Sequence, residues 1–388
     1  MRIFVITSRV PWPLEKGDKL RIYHQLKHLH KNHEIFLCCL TDEKVDQKDL
    51  ENLRDICSDY AIVPLKKTLI LWHMILGLFS DRPFQVHYFF QRQARRKVYR
   101  YVDQFQPDHI YCQLIRAAEH VKHIHKVPKT LDYMDAFNKG VERRINGAPW
   151  YKRLVFRQEA RRLVAYENLI YEYFEHHLII SEQDRDFIFH PRRQNIAVIP
   201  NGVDQAFFSP IAHPKKYDLV FTGNMNYPPN IDCAVFLAKE VLPLVRKSIP
   251  DATLLLAGAQ PAPQVKALNG KGITVTGWLD DIRLAYAESS VFVAPMRIGS
   301  GLQNKLLEAM SMELPCITSP LANNALHAHD GEEILVATQA HEVADHCISL
   351  LRDAELARNI ALNGRRFVQE RYSWEHTAQQ LEELMMAN

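Results

Sequence analysis

Apolar residues fall along this chain in short runs separated by stretches of helical period. Residues 2–6 (RIFVI) are an unbroken apolar run, the mark of a strand buried on both faces. A loop with Pro11, Pro13 and Gly17 follows. KLRIYHQLKHLHK then sets Leu20, Tyr23, Leu26 and Leu29 on one helical face, and EIFLCCL (34–40) reads as the next strand. Such a β-loop-α-β unit opens a doubly wound sheet. Further strands fit at YAIVPL near 60, HIYCQL near 110, KTLDYM near 130 and HHLIIS ending at Ser181, with a long charged amphipathic helix over 151–176.

The pattern restarts after residue 200. YDLVFTGN (217–224) is a strand, DCAVFLAKEVLPLVRK a helix, and ATLLLAG, GITVTG, SVFVAPM and LPCIT are strands, with a helix from about 302 before the last. The tail over 354–387 is helical. Alternation at this spacing predicts two Rossmann-like parallel-sheet domains facing a cleft. Ligands would lie at the carboxyl ends of the strands, after Ile6, Phe221, Ala257, Val275 and Pro295.

Composition narrows this without redirecting it. With 388 residues, 47% apolar and 24% charged, the chain is neither disordered nor fibrous, and it is long enough for two domains. No stretch reaches the roughly 18 to 20 apolar residues of a spanning helix; the longest, Leu69 to Phe79, includes His73. MRIFVITSRVPWP reads as a strand and a turn, not a signal peptide. Seven cysteines lack any C-x-x-C spacing, which fits a reduced, cytoplasmic protein.

Charge divides the chain. Residues 1–200 hold 33 Lys and Arg against 24 Asp and Glu, a balance of +9; the remainder is −6. A basic half suits an anionic partner: a membrane surface, a phosphorylated substrate or nucleic acid. RRKVYRYV (95–102) is basic and aromatic, but no RNA-binding module accompanies it, so a surface or membrane role is expected and nucleic acid is not.

The segment richest in chemistry is RIGSGLQNKLLEAMSMELPCIT (297–318). A strand ends at Pro295, a Gly-Ser-Gly turn follows, and a helix begins, so backbone amides there suit a phosphate. Lys305 lies near the first helical turn, where a cation opposes the helix dipole unless an anion lies close by. Glu308, one turn later, is within reach of sugar hydroxyls. Read alone, the same residues are an ordinary turn with a Lys–Glu pair three residues apart.

These residues, with VIPNGVD (198–204), TGWLDDIRLAYAESSVFVAPM, GEEILVA (331–337) and ERYSWEHTAQQL (370–381), resemble family 4 of the retaining glycosyltransferases, of GT-B fold. RVPWPLEKGDKLRIYHQLKHL (9–29) is similar to a subgroup linked to exopolysaccharide and exosortase-associated sugar transfer. The resemblance implies an acceptor-binding domain over 1–200, a nucleotide-sugar-binding domain over 201–370, and a terminal helix over 371–388 crossing back to the first domain.

It also implies roles for single residues. Glu308 matches the glutamate that holds the ribose hydroxyls. Eight residues earlier, where the family has a second glutamate at the transferred sugar, this chain has Ser300. GNMNYPPNID (223–232) lacks the family's basic residues, so Lys305 and Arg297, with the amides of Gly299, Ser300 and Gly301, are expected to clamp the diphosphate. Gly223, Asn224, Gly277, Leu302 and Gly17 complete the expected donor contacts, and Asp18, Lys19 and Arg21 the acceptor contacts. Asp132 and Asp135 are candidates near the sugar. Their spacing points them to opposite faces if the strand continues.

Other motifs have plainer readings. Asp184-Arg185-Asp186 resembles a metal-binding D-x-D but sits at a strand-to-helix junction, where Ser181 and Asp184 read as capping groups. His24 and His28 share a helical face without an acidic third ligand. The expectation is a retaining, metal-independent transferase without cofactor. It takes a UDP- or GDP-linked sugar as donor and a glycan or lipid-linked acceptor, and is cytoplasmic or peripheral on an anionic membrane face. A sugar-nucleotide epimerase and a non-catalytic binding protein of the same fold remain alternatives.

Overall fold

A computed structural model describes residues 1–14, 16–146, 149–298 and 302–387. The chain divides into two compact units, Met1–Pro200 with Trp374–Asn388, and Asn201–Ser373.

In the first unit, seven strands among the described residues form one parallel sheet: β1 (Arg2–Thr7), β2 (Glu34–Thr41), β3 (Asp59–Pro64), β4 (His109–Gln113), β5 (Lys129–Asp132), β6 (His176–Ile179) and β7 (Ala197–Val198). Their order is β3-β2-β1-β4-β5-β6-β7. Successive side chains point to opposite faces, so the apolar runs of β1 and β2 feed two cores. Phe4, Ile6, Phe36 and Cys38 pack with Val98, Val102, Leu163 and Ile170. Ile3, Val5, Ile35 and Leu37 pack on the other face with Ile22, Leu26 and Leu381.

The first helix, Gly17–Leu29, buries more than the expected stripe: Arg21, His24 and Gln25 are covered as well. The terminal helix, Trp374–Met386, supplies the second cover. Trp374 stacks on His24 with centroids 5.0 Å apart, and Glu382 lies 2.9 Å from His33. The C-terminal helix therefore does return to the first helix of the chain.

The second unit repeats the plan with β8 (Tyr217–Thr222), β9 (Leu254–Ala257), β10 (Ile273–Val275), β11 (Ser289–Ala294), β12 (Cys316–Thr318) and β13 (Leu335–Val336), all parallel, in the order β10-β9-β8-β11-β12-β13. Both sheets reverse direction of winding beside their first strand, between β1 and β4 and between β8 and β11. That reversal opens a crevice at the strands' carboxyl ends. All seven cysteines are free and buried.

Candidate functional site

At the switch point of the second unit, β8 ends in Thr222 and the chain turns at Gly223. A Cβ on Gly223 would lie 2.7 Å from the Asn230 amide and 3.3 Å from Lys305 Nζ, and its φ of +147° disfavours a side chain in any case. Gly258, after β9, is more constrained: a Cβ there would meet the Gly223 carbonyl at 1.9 Å. Two backbones thus touch at the floor of the crevice. Gly277 follows β10, and Gly258 N–H donates to its carbonyl at 3.2 Å.

The Pro228–Phe236 helix starts just beyond and presents Asn230, whose amide donates to the Asn224 carbonyl at 2.9 Å. The facing helix, Asn304–Ser311, begins two residues later than the sequence pattern predicts and carries Lys305 and Glu308. Lys305 Nζ donates to Asn230 Oδ1 and lies 4.7 Å from the Phe221 ring centroid. Loss of water lowers its pKa to about 8, although Cys233 and Glu308 pull the other way. Glu308 accepts a 2.7 Å bond from the Tyr286 hydroxyl, which is 2.8 Å from Thr222 Oγ1. Desolvation also raises the Glu308 pKa, against the hydrogen bond and Lys305.

A half-buried cation and carboxylate thus stand one helical turn apart. Among the described residues, each hydrogen-bonds a neutral partner rather than an ion. Such a pair can neutralise an anion and accept hydrogen bonds from hydroxyls, the two tasks a nucleoside diphosphate would set. Leu302 packs against the core of this unit. Asn224 Oδ1 accepts from Asn226 N–H at 3.0 Å, shaping the loop. The expected contacts at Gly299, Ser300 and Gly301 lie outside the described residues.

Arg297, expected as a second clamp, is otherwise engaged. Its guanidinium forks onto Asp232 at 2.8 and 3.0 Å, reaches Glu240 at 3.5 Å and lies over the Phe236 ring at 4.3 Å. Bidentate pairing occupies the geometry a phosphate would use.

The corresponding corner of the first unit holds two of the expected residues in a buried pair. Arg21, expected at the acceptor, has no exposed surface, and neither does Asp132, expected at the sugar. Arg21 Nε donates to Asp132 Oδ2 at 2.6 Å, Tyr111 Oη lies 2.9 Å from the same oxygen, and Met134 N–H donates to Oδ1 at 2.9 Å. Burial opposes the Arg21 charge, but Asp132 and Tyr111 outweigh it and raise the Arg21 pKa. This network pins the first helix to the sheet. Asp135, three residues on, is exposed.

Asp18 pairs with Arg9 at 2.6 Å, and Lys19 donates to the Trp12 carbonyl at 3.2 Å, so both fasten the loop after β1. Gly17 opens the helix, with nothing near its absent Cβ. A cavity of about 70 Å³ lies beside them, lined by Arg9, Trp12, Lys19 and Asp42. A larger one, about 380 Å³, sits at the opposite, amino-terminal end of β8 beside Lys215 and Asp218, away from these charges.

Ser181 caps the Glu182–Asp186 helix through Asp184 N–H, as expected for the D-x-D segment. Among the described residues, no three His, Cys, Asp or Glu side chains converge as a metal site. Sequence reasoning passed over Thr222, Asn230, Gly258 and Tyr286. Their one sequence signal is position: three directly follow or end strands or open a helix, and Tyr286 has none.

Residues 216–353 match the family described as Glycosyl transferases group 1. A 44.6 kDa protein from the cps region of Klebsiella pneumoniae is 24% identical to the chain over 404 residues, 96% of each. Phosphatidyl-myo-inositol mannosyltransferase of Mycobacterium tuberculosis is 31% identical over 199 residues, 47% of this chain and 52% of that one. Among solved structures, Anabaena HepE in complex with UDP and glucose superposes with a TM-score of 0.70 at 14% identity, covering 100% of both chains. Sucrose-phosphate synthase of Thermosynechococcus elongatus gives 0.68 at 17% identity, over 99% and 98%. These superpositions establish the GT-B fold for the whole chain. Lys305, Glu308, Gly223 and Gly258 all lie within the matched residues 216–353.

Proposed function

We propose that this protein is a retaining glycosyltransferase that moves a sugar from a nucleoside diphosphate sugar to a hydroxyl acceptor in surface polysaccharide or glycoconjugate assembly. The observation that carries the reading is the Lys305–Glu308 pair over the Gly223–Gly258 floor, inside the segment that matches group 1 glycosyltransferases. The HepE complexes contain UDP and glucose, and the cps-region relative matches along its whole length, which supports a UDP-linked donor and polysaccharide assembly.

In this reading Glu308 accepts the ribose hydroxyls, and Lys305 faces the diphosphate. The bond between the anomeric carbon and the phosphate oxygen breaks, and a bond from that carbon to the acceptor oxygen forms on the same face. The acceptor's proton passes to the leaving phosphate, so no protein base is required. Negative charge grows on the diphosphate as the bond breaks, and a fixed cation stabilises it more in the transition state than before. In the first unit, Asp135, exposed after β5, is the carboxylate assigned to the sugar, and Asp18 and Lys19 are assigned to the acceptor. Arg297 holds the Pro228–Phe236 helix, and so Asn230, in place.

The test is a panel of UDP- and GDP-linked sugars incubated with glycan and lipid-linked acceptors, in EDTA. The reading requires acceptor-dependent release of nucleoside diphosphate and a glycoside product of retained configuration. A changed sugar still attached to its nucleotide identifies an epimerase. Binding without turnover identifies a binding protein.

A further inference from the structure

The first unit carries an apolar surface that its cores leave uncovered, and we propose that this surface docks the protein on an anionic membrane. The Lys67–Gly77 helix (KTLILWHMILG) contains no acid, and only Ile70 and Gly77 are buried. Leu71 (66% exposed), Trp72 (56%), Ile75, Leu76, Leu78 and Phe79 (89%) face solvent. A helix buried in the first domain is one meaning open to this stretch on sequence alone; the exposure removes it. Single exposed apolar residues are ordinary, but six within nine positions form a patch.

The helix is held, not loose. Ile70 enters the core, and His73 Nδ1 donates to the Phe90 carbonyl at 2.6 Å. Arg162 donates to the carbonyls of Gly77 and Leu78 at 2.8 and 3.3 Å, satisfying acceptors that a helix end leaves open. On the Trp150–Tyr171 helix, Leu154 and Val155 lie two turns before Arg162 on the same side, and both are exposed. The apolar surface therefore continues onto a second helix.

Charge selects the occupant. Residues 66–100 contain eight Lys and Arg and one acid, Asp81. Phe90, against which His73 lies, carries Arg82 at 5.9 Å and Arg95 at 5.3 Å from its ring. Arg92 is exposed one turn before Arg95, Lys66 and Lys67 are exposed at the helix start, and Arg157 and Arg161 flank the second patch. Asp81 is exposed, but two acids on neighbouring helices are occupied: Glu119 is buried against Lys122 and Arg82, and Glu159 accepts from the backbone of Phe84 and Gln85. An apolar wedge with a tryptophan and a cationic rim fits a headgroup boundary with anionic lipid. At 11 residues the helix is too short to span, and among the described residues no helix is long and apolar enough to do so.

Cosedimentation with phosphatidylcholine vesicles, with and without phosphatidylglycerol, tests the proposal on the full chain. Binding is expected only with phosphatidylglycerol and should fall as salt rises. Trp72→Ser with Phe79→Ser should weaken it at least tenfold, and each of Lys67→Gln, Arg92→Gln and Arg157→Gln by roughly fivefold. These side chains are exposed, so melting temperature and UDP binding should not change; that control separates failure here from failure of the proposed function. Equal recovery in the supernatant with both vesicle types would overturn the proposal. So would a concentration-dependent dimer, abolished by the double serine variant, in a protein that ignores vesicles.

Discussion

The carboxyl ends of the two sheets present the same topological opening and treat charge in opposite ways. In the first unit, Arg21 and Asp132 are fully buried, face each other at 2.6 Å and leave no charge for a ligand. In the second, Lys305 and Glu308 are half-buried, and each leans on a neutral group, Asn230 or Tyr286. A buried ion answered by its opposite holds a helix in place. A desolvated ion answered by an amide or a phenol is unsatisfied until something charged arrives. The fold offers both corners as sites; in the proposed reading, the second is the one kept for a charged ligand.

The comparison breaks most visibly at Asp132. Removing one member of a buried pair strands the other, so Asp132→Ala should cost roughly 3 to 5 kcal/mol of stability, read by denaturant unfolding. Replacing both partners by apolar residues, Arg21→Met with Asp132→Leu, should recover most of that loss. A small loss in the single variant would make the network decorative.

Lys305→Ala should do the reverse. The fold loses only a poorly solvated cation, so melting should hold or rise, while kcat falls about 100-fold or more. A rise in KM alone would make Lys305 a positioning residue. Glu308→Gln keeps the shape and removes the charge, and should weaken donor binding by roughly 1 to 3 kcal/mol in calorimetry. Unaltered affinity would free Glu308 from the ribose assignment.

The smallest effect is a pH dependence. Lys305 is expected to lose its proton near pH 8 in the free protein, below the ordinary lysine range. The unfolded chain then binds more protons than the folded one between about pH 8 and the ordinary value, so this group's contribution to stability rises with pH across that window. Nucleotide affinity should move oppositely, falling as pH climbs through 8. A flat profile from pH 7 to about 9.5 would remove Lys305 from the diphosphate.

Much of the fold is legible in the sequence, because parallel strands covered on both faces must be continuously apolar, and RIFVI, EIFLCCL, LVF and VFVA are. The Lys305–Glu308 helix was legible too, since a Gly-Ser-Gly turn followed by an oddly placed cation is a local pattern. What stayed hidden was non-local. Arg21 falls on the polar side of a helical wheel with one apolar stripe, but its helix is covered twice, by the sheet and by the helix of Trp374. Its partner lies 111 residues away. Arg297 looked available because Asp232, 65 residues earlier, cannot be placed beside it by spacing. Tyr286 and Asn230 carry no motif; they matter through which ion they touch.

The central claim is that the second unit's corner is kept charged and available for a nucleoside diphosphate. Titration calorimetry of UDP and GDP into the wild-type chain and Lys305→Met, at pH 8 in two buffers of different ionisation enthalpy, tests it most directly. The account predicts saturable one-to-one binding of at least one nucleotide with net proton uptake, and loss of both the uptake and most of the affinity in Lys305→Met. No binding of either nucleotide, or equal affinity without proton uptake in both proteins, would contradict it.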